Sequence, residues 1–541
     1  MRTLLLLPLL GLPVLLLPVA PSGADTGAWE NRYSLAEGPL YAVGDNPDVA
    51  LDQELLVLDD YTSGQVTALF QFRNTSDHAV TVEAGFPVVL DLQTEEACEK
   101  DGVVAYEEGC TRKVWLLSLD YYRRGVDAGL LALAGLKAHA GKTIEFGDPA
   151  PYFRPGELAR RRVETKMPKK TPFAFSIEQD GQPVALTSLV VEIIPPEKAQ
   201  ITYHFRHRLV FGPHSTSTVR VRYKAPTLSG GSDSLAPTHY AHFTWRYVLS
   251  TGATWKGPLG KLVLAVPRDG VCANEEAWRT LGVWGGYRIL ERSAFEPVAA
   301  DDIVCDWRRG DESLNQWAEY WSQEWDGPPT PWANAKHLPP DVRGIGASSQ
   351  RPAQADVYAE RGVILGAPST AEAAFDGILE TAWSEATKTD VGEYLEFELT
   401  RPATGLRVMG GFLGALHEFA GTDTAGKKRA ALYKNLYAWN ARPTRLELVS
   451  VDGARRWTLP VQDQKAVWNV YPLLIPTGTY RLVIQASAKG KKWQDTSIAE
   501  VDFVTGETAW LEALRKDAFY APFFADGVAY LQPWASTPDR R

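Results

Sequence analysis

Between Glu393 and Leu399 the chain reads Glu, Tyr, Leu, Glu, Phe, Glu, Leu, so Leu395, Phe397 and Leu399 fall on every second position. Successive side chains of an extended strand point to opposite faces, and this order makes a strand with one dry face and one wet face. Short β-branched or aromatic runs recur at Gly405 to Gly411, Thr444 to Val451, Arg455 to Pro460, Trp468 to Leu474, Thr479 to Ala486 and Ile498 to Val504. Asp452-Gly453 is a hairpin signal between two of them. The first half repeats the pattern at Val66 to Phe72, Val80 to Val89, Leu189 to Ile194, Ile201 to Val210, Thr218 to Tyr223, Ala241 to Leu249 and Leu259 to Val266. Strands punctuated by turns predict a mainly β protein built as sandwiches. Eighteen Trp and 21 Tyr against three Met agree, because flat rigid rings suit pleated surfaces and sugar faces at little entropic cost.

At 541 residues the chain has room for several domains, each with its own core. Residues 25–325 are expected to form a β-sandwich-like domain with helices inserted at 121–140, where Leu130, Leu133 and Leu136 recur at helical spacing, and at 315–325. Pro328, Pro329, Pro331, Pro339 and Pro340 mark 326–342 as an extended, semi-stiff linker. A second β domain follows over 343–505. Beyond it, 508–516 reads as a short helix, and the tail through Tyr520, Phe523, Phe524, Tyr530 and Trp534, within 506–541, is too apolar to float and should fold back on a domain.

Residues 1–24 carry Arg2, an apolar run broken by Pro8, Pro13 and Pro18, and then Ser22-Gly23-Ala24, which is the pattern of a cleaved signal peptide. The run is short for a bilayer span and its prolines interrupt the helix that spanning requires. Export to the periplasm or the extracellular space is therefore expected, with no transmembrane anchor after signal removal. The four cysteines agree with an oxidising compartment, and their spacing suggests two local bridges, Cys98 with Cys110 and Cys272 with Cys305, other pairings remaining open. No Cys-x-x-Cys pair or nearby His suggests zinc. A formal charge of −10 gives the chain no general attraction for nucleic acid. The basic cluster Arg160, Arg161, Arg162, Lys166, Lys169 and Lys170 lacks interleaved aromatics and reads as a solvated loop.

Ala374-Phe375-Asp376-Gly377, then Thr381-Ala382-Trp383, and far downstream Asp495-Thr496-Ser497-Ile498-Ala499-Glu500-Val501 resemble the two ends of a discoidin domain, the coagulation-factor type C jelly-roll sandwich. The resemblance implies a binding module in which the Asp-Gly turn and buried Trp open the fold and the Ser-Ile-Ala-Glu-Val strand closes it beside them. Tyr433-Lys434-Asn435, Trp439-Asn440-Ala441-Arg442 and Lys491-Lys492-Trp493-Gln494-Asp495-Thr496 resemble the loops of the glycan-binding subfamily first associated with NAD glycohydrolase toxins. The chain departs from that pattern by placing Leu436 to Trp439 between its Asn residues and by a longer insertion from Gly414 to Ala431.

These residue types suit sugar. Asn435, Asn440, Asp495, Lys434 and Arg442 offer donors and acceptors for hydroxyls, and Tyr433, Trp439 or Trp493 can stack on the C–H face of a pyranose. Lys492 and Thr496 complete the expected ligand-binding set. The resemblance also implies a structural Ca²⁺ where the first loop meets the last strand, with Asp376, Thr381 and Glu500 as oxygen ligands; Ile378 stands where relatives carry Asp or Asn.

The first half resembles a secreted bacterial domain-of-unknown-function family, number 4424, in Phe70-Gln71-Phe72-Arg73-Asn74-Thr75-Ser76, Gly85-Phe86-Pro87 and the run from Tyr247 to Gly260. That family implies architecture and export but no chemistry. Gly141-Lys142-Thr143 ends like a phosphate-binding loop, yet the upstream Gly it needs is Leu136. His204 and His207, like His239 and His242, are three apart on expected strands and point to opposite faces. No Gly-x-Ser-x-Gly elbow or His-Glu-x-x-His helix appears. The expected function is noncatalytic carbohydrate binding; the alternative is a secreted glycan-active hydrolase targeted by its discoidin module.

Overall fold

The computed structural model describes residues 40–44, 48–58, 65–91, 94–100, 103–105, 113–117, 128–137, 152–154, 156, 159–193, 200–224, 228–230, 242–247, 249–267, 271–272, 275–308, 339, 341–351, 369–377, 381–387, 389–413, 435–465 and 467–525. The protein is mainly β, with its strands in antiparallel-rich sheets. The first sandwich pairs a five-stranded sheet, in the order Tyr41–Ala42, Val80–Asp91, Gln200–Phe211, Leu186–Ile193, Arg161–Thr165, with an eight-stranded one. Phe86 and Phe205 from the smaller sheet meet Phe70, Phe72 and Val219 from the larger in one core. In the eight-stranded sheet Val49–Leu58 runs antiparallel to Gln65–Asn74 but parallel to Leu259–Pro267.

The expected strands are present, with small shifts of boundary. Trp468 to Leu474 shortens to Asn469–Tyr471, because Pro472 has no N–H to continue a ladder. Helix is seen at Ala128–Leu133 within the expected 121–140, while 315–325, most of the linker and residues 1–24 lie outside the described residues. The basic cluster is not a loop at its start. Arg161–Thr165 is an edge strand in which Arg162 pairs with Glu192, while the side chains of Arg160, Arg162, Lys166, Lys169 and Lys170 are exposed as expected. Cys272 and Cys305 are bonded (S–S 2.01 Å) and directly opposite one another on neighbouring strands. Cys98 is also disulfide-bonded, and Cys110 lies outside the described residues.

The second sandwich packs a sheet ordered Val342–Ala347, Tyr394–Leu399, Gly478–Ala488, Arg442–Ser450, Arg456–Pro460 on one ordered Trp383–Ser384, Ser497–Thr505, Ala403–Gly410, Asn469–Tyr471. Leu395, Phe397 and Leu399 are buried as their alternation requires, in a core with Trp383, Leu446, Leu448, Tyr480, Leu482 and Ile498.

The aromatic tail does fold back, and onto the first sandwich. Ala509–Lys516 and Ala521–Phe524 are helices whose Leu511, Leu514, Tyr520, Phe523 and Phe524 cover Leu55, Val57, Val263, Ala265, Trp284 and Ile289 on the outer face of the eight-stranded sheet. Tyr530 and Trp534 lie outside the described residues. The two sandwiches also touch directly. At the tip of the hairpin formed by Arg279–Trp284 and Tyr287–Phe295, the Gly285 N–H donates to the Thr404 carbonyl (2.8 Å), and the Thr404 hydroxyl donates to the Val283 carbonyl. Gly285 has a φ of +59°, and a Cβ there would come 2.8 Å from Pro472 Cβ. Glycine is needed on both counts. Among the described residues no helix is long and apolar enough to cross a membrane.

Candidate functional site

The two ends singled out in the sequence meet. Gly377 takes a φ of +74° and turns the chain. Trp383, fully buried, then pairs with Ile498, and Ser384 with Ser497, their hydroxyls 2.8 Å apart. This pairing fixes where the final strand begins and so places Asp495 and Thr496 just ahead of it.

Two loops lead to that point and are zipped together by backbone hydrogen bonds. A helical turn over 435–439 is followed by Asn440, whose N–H donates to Leu436. The Lys491 N–H donates to the Ala438 carbonyl (3.0 Å), and those of Lys492 and Trp493 donate to Trp439 (3.1 and 2.8 Å). Gly490 permits the approach, since a Cβ there would stand 2.1 Å from the Trp493 carbonyl oxygen and 2.3 Å from that of Trp439. Nothing in the local sequence marks this glycine apart from its place between two lysines.

The zipper sets Trp439 against Trp493 edge to face, with ring centroids 5.6 Å apart. Lys492 Nζ lies 4.6 Å from each ring centroid, close enough for cation–π attraction to both indoles. Both indoles keep part of their surface in solvent, and Lys491, Lys492 and Gln494 are exposed. Asn435 sits one helical turn before Trp439, on the same face and half-buried.

The other expected ligands are occupied in building the loops. Asn440, 7% exposed, donates its side-chain amide to the Leu436 carbonyl (3.0 Å). Asp495 is buried against the Arg351 guanidinium. Thr496, fully buried, donates its hydroxyl to Asp390 (2.9 Å) and its N–H to Glu385 Oε1 (3.1 Å). Arg442 donates to Asp463 through Nε (2.5 Å) and Nη2 (2.9 Å) and lies over the Tyr437 ring, and its guanidinium holds the Asp463 carboxyl below the usual range. Tyr433 and Lys434 lie outside the described residues. Asn435, Trp439, Lys492 and Trp493 are thus gathered at an accessible rim, and Asn440, Arg442, Asp495 and Thr496 form the frame beneath it. Arg351, Glu385, Asp390 and Asp463 belong to that frame and carried no sequence signal, since each finds its partner across a long stretch of chain.

Asp376, Thr381 and Glu500 come together as a group. The Thr381 hydroxyl lies 2.9 and 3.0 Å from the two Asp376 carboxylate oxygens. Glu500 is 4% exposed, and burial together with the neighbouring Asp376 charge raises its pKa well above the ordinary value. Its Oε2 is buried with no hydrogen-bond partner. A buried, unsatisfied carboxylate oxygen beside a second carboxylate fits a hard cation, which would remove the repulsion between them. Among the described residues no three His, Cys, Asp or Glu side chains converge as a metal cage, and Ile378 is outside them.

No protein-family profile matches the chain, and no curated protein matches it by sequence. Among solved structures, a putative nutrient-binding protein from Legionella pneumophila is 14% identical over 50% of this chain and 70% of its own, with a TM-score of 0.26. A family-32 carbohydrate-binding module of a family 31 glycoside hydrolase from Clostridium perfringens is 13% identical over 31% of this chain and 92% of its own (TM-score 0.18). A putative chitobiase fragment from Bacteroides thetaiotaomicron is 17% identical over 31% and 93% (TM-score 0.18). TM-scores this low decide nothing about activity, which has to be read from the chain's own residues.

Proposed function

We propose that the protein is an exported, noncatalytic carbohydrate-binding protein that holds glycans at the rim of its second sandwich through Trp439, Trp493, Lys492 and Asn435. The observation that carries this reading is the pair of part-exposed indoles locked edge to face beside an exposed ammonium and an amide. Rings held by their backbones lose little entropy on binding, and the polar groups beside them can pair with hydroxyls. Such a site binds one ligand weakly and gains by repetition on a surface. Export to the periplasm or beyond the cell is supported by the character of residues 1–24 and by the Cys272–Cys305 bond.

Trp493→Ala and Trp439→Ala in the full chain are each expected to weaken glycan binding about tenfold, ~1.4 kcal/mol, on an array and in titration. An unchanged binding profile in both variants would remove the site from this rim.

A structural Ca²⁺ at Asp376, Thr381 and Glu500 is the second part of the proposal, supported by the orphaned Glu500 oxygen. Millimolar Ca²⁺ is expected to raise the melting temperature of the wild type and leave Glu500→Gln unmoved. A wild-type melt indifferent to Ca²⁺ would dispose of the ion.

A further inference from the structure

The outer face of the five-stranded sheet carries a polar group that the glycan rim does not use. Along Gln200–Phe211, Ile201, Tyr203 and Phe205 enter the core between the sheets, so Thr202, His204 and Arg206 face the other way. That face would be expected to be wet. Instead Thr202 is 0%, His204 7% and Arg206 6% exposed.

Register places Thr202 between Glu192 and Val89, and Arg206 beside Gly85, which on its other side pairs with Tyr41. A Cβ at Gly85 would lie 2.4 Å from Tyr41 Cζ, so only glycine lets the phenol ring lie across the sheet. From there the Tyr41 hydroxyl is 2.9 Å from His204 Nδ1, and the Arg206 guanidinium carbon is 5.4 Å from the Tyr41 ring centroid. His204 Nε2 is 3.7 Å from Glu192 Oε2, and Arg160 Nη2 is 3.5 Å from Glu192 Oε1. Burial pushes the His204 imidazole toward its neutral form, against the pull of Glu192.

Arg206 is out of balance. Glu192, a buried carboxylate of the same face, is engaged by His204 and Arg160. Arg206 Nε is buried with no hydrogen-bond partner, and the Thr202 hydroxyl, four residues away on the same face beyond His204, is likewise unsatisfied. A guanidinium withdrawn from water with only an aromatic ring for company is costly, and its planar fork of donors matches the paired oxygens of an oxyanion.

We propose that this face binds a small ligand through a carboxylate, phosphate or sulfate group held by the Arg206 guanidinium, with the Tyr41 ring, itself fixed by His204, positioning the arginine. Glu83, Glu164 and Glu192 share the face with Arg160, Arg162, Arg206 and Arg208, so among these residues the guanidiniums outnumber the carboxylates by one. The site is distinct from the glycan rim, and its test does not depend on sugar binding.

The test is thermal unfolding and calorimetric titration of the full chain with acetate, inorganic phosphate and sulfate, each against chloride at equal ionic strength. At least one probe is expected to stabilise the wild type with saturation. The probe that succeeds tells a carboxylate ligand from a phosphate or sulfate ester. Arg206→Met is expected to melt no lower than the wild type without added anion, because it removes a buried unpaired charge. The same variant should lose at least about tenfold in affinity for the probe. Equal stabilisation of the wild type and Arg206→Met by every probe, as general exclusion of sulfate and phosphate would give, overturns the proposal. Should Arg206→Met fail to fold, Arg206→Lys, which keeps the charge and loses the fork, decides: weaker binding supports the site, and an unchanged dissociation constant overturns it.

Discussion

Leu514→Ala and Phe524→Ala are each expected to lower the stability of the protein by about 2–5 kcal/mol, with the loss registering in the first sandwich and not only in the helices that carry them. Leu514 is 2% exposed and Phe524 0%, and both rest on the outer face of the eight-stranded sheet, where Val57, Val263 and Ile289 would otherwise meet water. Hydrogen exchange makes the outcome specific. In either variant, amides of Val49–Leu58 and Leu259–Pro267 should exchange faster, because the helices are the second layer that keeps those strands dry. Glu512→Ala, on the solvent side of the same helix, should stay within about 0.5 kcal/mol of the wild type. Protection of the sheet unchanged while the helices exchange freely would show that the tail is an ornament on a sheet stable without it.

A second large effect is expected from pH, through Glu54. This side chain is 0% exposed, its Oε1 accepts a hydrogen bond from the Tyr247 hydroxyl (2.7 Å), and burial pushes its pKa up to about 8 against the Tyr247 hydrogen bond. Below the ordinary value of 4.5 the folded and unfolded states both hold the proton and the group is neutral in the balance. As pH rises past it the unfolded chain ionises while the folded chain keeps its proton, so stability falls until about pH 8. The loss is ~1.4 kcal/mol per pH unit and at most about 5 kcal/mol in all. Glu54→Gln cannot ionise, so the gap in melting temperature between variant and wild type should widen in the variant's favour between pH 5 and pH 8. A gap that does not move with pH would mean that Glu54 ionises in the folded protein as readily as in the unfolded one.

Alternation along the chain told which face of a strand is buried, and the structure follows it at Leu395, Phe397 and Leu399 and at Ile201, Tyr203 and Phe205. It could not tell which strands are neighbours. The parallel pairing of Val49–Leu58 with Leu259–Pro267 joins segments far apart in sequence, and any two strands with the same pattern could pair as well on local grounds. Glu54 shows a further limit. Within Val49–Leu58 it looks like an ordinary wet position, and only pairing beside Phe70 and Leu262 turns its side chain into the core between the sheets, where Tyr247 meets it. At the rim, residue types pointed to Trp439 and Trp493, which do meet, but type could not separate a polar side chain that faces solvent from one that ties down a loop. Asn440, Asp495 and Thr496 do the latter because each has a buried partner supplied by tertiary folding: the Leu436 carbonyl, Arg351 and Asp390.

The hairpin tip at Gly285 has a mechanical consequence. With that tip wedged against Thr404 and Pro472, and the tail clasped over the outer face of the same eight-stranded sheet, the second sandwich is braced against the first by the hairpin and by the tail. A tug on anything gripped at the indole pair would travel straight into the first sandwich, with no swivel between them to absorb it.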